Sequence, residues 1–167
     1  SSACILKDGR LIAAAEEERF RRIKHWAGFP SEAIKWCLSE AGIGLENVEH
    51  IALNQDVKAN LLRKIIFTFK NRPNLKMLLD RLKNKRKRLN INDQILKVFS
   101  NSKFNGSIHA VEHHAAHLSS AFHTSNFNEA VVVSVDGFGD FASTAFGIGK
   151  GTKINLADRV YFPHSLG

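Results

Sequence analysis

Val131-Val132-Val133-Ser134-Val135-Asp136-Gly137-Phe138-Gly139-Asp140 is a run of mostly β-branched residues that ends in Asp-Gly. Such a run reads as a buried strand of a mostly parallel sheet that stops before a tight turn. A carboxylate at the end of that strand, beside Gly137 and Gly139, stands where open α/β sheets usually bind ligands. Just upstream, His113-His114-Ala115-Ala116-His117 opens a helix, because Ala115, Ala116, Leu118, Ala121 and Phe122 recur at helical spacing. His113 and His117 are then one turn apart on one face, close enough to share a metal ion. Blander readings stand beside these. A histidine pair at this spacing also occurs on hydrogen-bonded or solvated helix faces, and Asp-Gly is the strongest short hairpin signal. Together, strand, helix and strand suggest a metal site next to a phosphate site.

The chain has 167 residues, enough for one domain with a proper core or for part of a larger protein. It begins without Met and stops on Leu166-Gly167, and both ends read as cut from something longer. Cys4 and Cys37 show neither CxxC spacing nor disulfide density, so a reducing cytoplasm is expected. There is no apolar run of transmembrane length and no signal-peptide pattern, and no membrane partner is expected. The net charge of +8 is unevenly placed. Residues 58–103 hold 14 Lys and Arg against Asp80 and Asp93, a local balance of +12, which leaves −4 for the rest.

Along the chain, residues 3–15 read as a hairpin turning at Asp8-Gly9. Glu16 to His25 is a dense mixed-charge stretch, either a solvated loop or a substrate-binding rim. Ser31 is the expected N-cap of a helix whose apolar stripe is Ala33, Ile34, Cys37, Leu38 and Ala41, with Gly42 ending it. Val48 to Leu53 reads as a strand. Residues 58–103 read as a basic, mostly helical insertion: Leu61, Leu62, Ile65, Ile66 and Phe69 are periodic, and Pro73 interrupts. Leu75, Met77, Leu78, Leu79 and Leu82 then resume the period, Lys83 to Arg88 is a basic run, and Asn92 to Phe99 forms a third helix. Without zinc-finger cysteines or an RNA-recognition aromatic motif, a nucleic-acid partner is not expected. Ser107 to Val111 is a strand leading into the histidine helix. Phe141 to Ile148 is the second arm of a hairpin turning at Gly137 to Asp140, and Thr152 to Ala157 adds a strand.

Several separated motifs carry a resemblance: Ser1-Ser2-Ala3 through Asp8-Gly9, Ala15-Glu16-Glu17-Glu18-Arg19-Phe20, Lys24-His25, Phe29-Pro30, His113 to His117 and Val135-Asp136-Gly137. In this order the chain resembles the amino-terminal part of the NodU/CmcH O-carbamoyltransferases. The basic segment carries no matching motif. The resemblance implies an α/β fold, an incomplete actin/sugar-kinase/Hsp70-like (ASKHA, RNase H-like) lobe of the Kae1-like kind, with a carboxy-terminal YrdC-like domain outside these residues. It implies that the full-length enzyme uses carbamoyl phosphate and ATP to make carbamoyl-adenylate, then moves the carbamoyl group to a hydroxyl of a small molecule or sugar. Carried over by motif, His113, His117 and Asp136 are metal ligands, for Fe(II) or another divalent ion. A further aspartate ligand is expected downstream of Gly167, and a histidine before Ser1. Two neutral imidazoles and a carboxylate with open positions suit such an ion. Gly137 and Gly139 are expected to let backbone amides approach phosphate oxygens, with hydroxyls from Ser143 and Thr144. Lys24 and His25 are candidate contacts to the anionic ligand. His114 is either the general base for the acceptor hydroxyl or a supporting residue.

Three rival readings remain. A HypF-like carbamoyltransferase of hydrogenase maturation shares the histidine stretch but not the EEERF and KH…FP motifs. A non-catalytic ASKHA-fold module would use the basic segment as an interaction surface. A plain HxxxH zinc hydrolase lacks the glutamate beside the first histidine, where His114 stands. With about one lobe's worth of residues, the chain alone is expected not to carbamoylate anything.

Overall fold

A computed structural model describes residues 1–56, 58–71, 91–100 and 103–166. The chain divides into two compact units, residues 1–51 with 75–107 and residues 52–74 with 108–167. The expected apolar repeat at 75–82 and the basic run at 83–88 lie outside the described residues.

In the first unit, β1 (Ser2–Lys7) and β2 (Arg10–Glu16) form an antiparallel hairpin with Lys7 opposite Arg10. Asp8 and Gly9 both take positive φ, 52° and 76°, which is what a two-residue turn matched to strand twist demands. Helix α1 (Glu17–Arg21) follows directly, then α2 (Ser31–Ala41), which packs on both strands and buries Ala33, Cys37 and Leu38. Gly42, with φ of 64°, ends α2 as expected.

Two expectations change here. Ser31 is not the N-cap of α2 but its first residue; Pro30 is the cap and offers no side-chain oxygen. The capping falls to Glu17, 16 residues upstream of Ala33, whose carboxylate accepts from the N–H groups of Glu32 (3.2 Å) and Ala33 (2.8 Å). Glu17 also accepts from Arg21 Nε at 2.6 Å and from the Ser31 hydroxyl at 3.3 Å, and it is fully buried. The mixed-charge stretch is therefore not simply solvated. Burial alone would raise the Glu17 pKa, but the Ala33 amide, the Arg21 guanidinium and the Glu32 amide outweigh it and hold the carboxyl below its usual range.

Strands β3 (His50–Leu53) and β4 (Ser107–Ala110) pair. Ser107 N–H donates to the Glu49 carbonyl and Val111 N–H to that of Leu53, so the strands advance together and run parallel. A parallel pair needs a long crossover. The residues between include α3 (Leu61–Asn71) and α4 (Ile91–Val98), the latter close to the expected third helix.

In the second unit, α5 (His113–Phe122) packs on β5 (Glu129–Gly139) and β6 (Ala142–Lys150), with β7 (Lys153–Tyr161) beyond. Leu118 and Phe122 meet Val132 and Ala145 in the core, with Ala130, Ile154 and Leu156 around them. Burial of each large side chain contributes about 1.5–3 kcal/mol. The sheet order is β5-β6-β7, antiparallel throughout, which corrects the expectation of a buried parallel strand. Val131, Val133 and Val135 are exposed, while Val132 and Ser134 are buried. The run is a half-covered strand whose two faces both happen to carry valine. The hairpin turn is also displaced from Gly137–Asp140: Gly139 pairs with Ala142, so Asp140 and Phe141 make the turn, at φ of 49° and 74°. Between Val135 and Gly139 the register shifts, and that irregularity re-aims Asp136.

Candidate metal centre

Helix α5 is started by Glu112, whose side chain accepts from Ala115 N–H at 2.9 Å. The Glu112 carboxylate also lies 3.5 Å from Arg159 on β7, a pairing that ties the helix start to the sheet. From this start, His113 and His117 project from the same side. His113 Nε2 is 2.7 Å from Asp136 Oδ2, His117 Nε2 is 3.1 Å from His113 Nε2, and His117 Nε2 is 3.7 Å from Asp136 Oδ2. Ligand atoms of all three lie within 4.8 Å of one another. Donor atoms that share one ion at about 2.1 Å stand roughly 3 Å apart when adjacent on its coordination sphere. The observed separations therefore fit one ion held by three neighbouring donors, with its remaining positions open. The donor chemistry, imidazole with carboxylate, suits Fe(II) or another divalent transition ion. The Asp136 carboxyl is held below its usual range, chiefly by the His113 hydrogen bond and then by the Gly137 amide.

Asp140 positions this group, and sequence reasoning missed that role. Its Oδ2 accepts from His113 N–H at 3.0 Å and from Asp56 N–H at 2.8 Å, while its carbonyl accepts from Asn60 Nδ2 at 2.9 Å. The hairpin turn thus grips the first residue of the histidine helix. Only its proximity to Asp136 and a turn-forming residue type hinted at this.

The other expected site residues are placed differently. His114 is fully buried, its Nδ1 2.9 Å from Ser134 Oγ, on the helix face shared with Leu118 and Phe122. A sealed imidazole cannot reach an acceptor hydroxyl, so the general-base assignment is withdrawn in favour of support. Gly139 makes room for His113: a Cβ there would overlap the His113 ring. Gly137 is exposed and a Cβ there would meet nothing, but its N–H is taken by Asp136 Oδ1 at 2.6 Å rather than held out for a phosphate oxygen. Ser143 is buried and donates to the His164 carbonyl at 2.7 Å, and Thr144 is buried too; neither presents a hydroxyl donor to solvent. Lys24 and His25 belong to the first unit, where Lys24 lines a shallow depression with Glu18, Arg19 and Arg22 and His25 N–H donates to Glu18 at 2.9 Å.

The family model described as carbamoyltransferase N-terminus matches residues 1–167. An uncharacterized protein of Synechocystis sp. is 34% identical over 174 residues, covering 100% of this chain and 28% of that protein. The nodulation protein NolNO of Sinorhizobium fredii is 32% identical over 156 residues, covering 92% of this chain and 22% of NolNO. The nodulation protein NolO of Bradyrhizobium diazoefficiens is 44% identical over 59 residues, 34% of this chain and 10% of NolO. The chain thus spans about a quarter of the length of the two relatives it matches almost throughout. With the motifs of both units covered by one family match, the chain belongs to the carbamoyltransferase family.

Proposed function

We propose that this chain supplies the metal-holding face of an O-carbamoyltransferase, within an incomplete ASKHA-type lobe of a longer protein. The full-length protein would transfer a carbamoyl group from carbamoyl phosphate, through ATP-derived carbamoyl-adenylate, to a hydroxyl of a small molecule or sugar. The observation that carries this reading is the convergence of His113 Nε2, His117 Nε2 and Asp136 Oδ2. A divalent ion held there would supply Lewis acidity and charge neutralisation for phosphate and developing oxyanion.

The chain's own residues account for the rest of the arrangement. Glu112 and Asp140 fix the start of α5, so the two imidazoles point together before any ligand arrives. Ser134 engages His114 from behind and keeps that ring out of the site. The Gly137 N–H donates to Asp136 Oδ1 at 2.6 Å and so helps hold that carboxylate toward the imidazoles. In the transfer itself, the acceptor oxygen bonds to the carbamoyl carbon as the bond to the adenylate oxygen breaks, releasing AMP, and the hydroxyl proton passes to solvent.

Two measurements test this. Anomalous diffraction at the iron edge, on crystals grown with Fe(II) under reducing conditions, should place a peak within bonding distance of the three side chains. Full-length protein supplied with carbamoyl phosphate, ATP and a panel of hydroxyl acceptors should release AMP and carbamoylated product. A metal peak without transfer to any hydroxyl would leave a metal-binding module and remove the transferase reading.

A further inference from the structure

Helix α3 is mounted with its apolar stripe outward. It packs within its own unit through the other side: Phe67 meets Phe141 at 5.6 Å and Phe162 at 5.0 Å, edge to face in both cases. Arg63 lies 4.9 Å over the Tyr161 ring, and Asn60 donates to the Asp140 carbonyl. Asn60, Lys64 and Phe67 are spaced four and three residues apart, so the docked seam runs along one face. Leu61, Leu62, Ile65, Ile66 and Phe69 lie on the opposite one, and all five are exposed, Leu62 at 71% and Phe69 at 79%. Single exposed leucines need no explanation, but a contiguous stripe of five large apolar side chains on one helix face does.

The charges say what kind of surface would cover it. Between residues 58 and 71 there are Lys58, Arg63, Lys64 and Lys70 and no acidic residue. Lys58, Arg63 and Lys70 are exposed. At 11 residues the helix is far too short to cross a bilayer, and no described helix is long and apolar enough to do so. A short helix with an apolar face and only cationic charge lies in the plane of an anionic lipid surface, its stripe among the acyl chains and its cations at the headgroups.

We propose that α3 is a membrane-surface helix that docks this chain on anionic lipid, an addition to the carbamoyl-transfer reading and independent of it. The test is co-sedimentation of the chain with phosphatidylcholine vesicles prepared with and without phosphatidylglycerol, at low and high salt. Partition onto the phosphatidylglycerol vesicles should be about tenfold or more higher, and high salt should weaken it several-fold. Leu62→Ser with Phe69→Ser should reduce it about tenfold or more, and Lys58→Glu with Lys70→Glu should do so without touching the stripe. Both pairs sit on the exposed side, so far-ultraviolet circular dichroism should be unchanged. Equal partition onto both vesicle types would overturn the proposal, as would binding indifferent to both variant pairs. So would a concentration-dependent dimer, dissolved by Leu62→Ser with Phe69→Ser and silent toward vesicles, which would assign the stripe to a second copy.

Discussion

Two carboxylates anchor the two units, and they are built on opposite plans. Glu17 is fully buried and takes four donors, all from its own unit: two backbone amides, a guanidinium and a hydroxyl. Asp136 keeps a side chain 41% exposed and takes its partners from two imidazoles and one amide. Both carboxyls sit below their usual pKa range, so a depressed pKa does not distinguish them. What distinguishes them is closure. The Glu17 cluster is sealed and does structural work, whereas the Asp136 cluster gathers two imidazoles and a carboxylate whose side chains stay partly exposed.

If that contrast is right, the largest effect belongs to the ligands. His113→Ala should weaken binding of a divalent ion by about 100-fold or more, read by isothermal titration, because a three-donor site that loses one donor keeps few of its bonds. Glu17→Gln should leave that titration unchanged but lower unfolding free energy by about 2–3 kcal/mol in a denaturant melt, since a buried charge network is broken. A metal titration as sensitive to Glu17→Gln as to His113→Ala would erase the distinction. Next, Gly139→Ala should cost about 1–3 kcal/mol of stability and weaken metal binding, because the new methyl takes the place of the His113 ring. Gly137→Ala, two residues away, should stay within about 0.5 kcal/mol of the parent in the same melt.

The smallest expected effect is a pH slope. A folded pKa below the unfolded value gives stability that is present above the unfolded pKa, about 4.3 for Glu, and is lost as pH falls through the folded one. The acid limb of a stability profile should therefore flatten in Glu17→Gln. It should change much less in Asp136→Asn, whose half-exposed carboxylate is screened by solvent. The reverse ranking would place the closed cluster at residue 136.

How much of this was legible depends on range. The Asp8-Gly9 turn, the Gly42 helix end and the spacing of His113 and His117 are local patterns, and they read correctly. The valine run misled because valine on both faces erases the period of two that marks a half-covered strand. His114 stands four and eight residues before Leu118 and Phe122, so its burial was legible by spacing; its chemistry drew attention to the open site instead. Glu17 was hidden among Glu16 and Glu18, and nothing local marks a carboxylate that caps a helix beginning 14 residues later. Asp140 left only a faint trace, its place in a turn close to Asp136, since both amides it accepts come from other segments.

That shared acceptor has a consequence for the order of assembly. Asp140 lies 27 residues from His113 but 84 from Asp56, and the loop-entropy difference between those closures is about 1 kcal/mol. The histidine–aspartate contact spans only 23 residues. Helix, hairpin and their clasp are thus expected to come together as one early folding nucleus, with the distant strand–loop segment captured afterwards by an oxygen already in place. Pulse-labelled hydrogen exchange should show the His113 amide protected before that of Asp56.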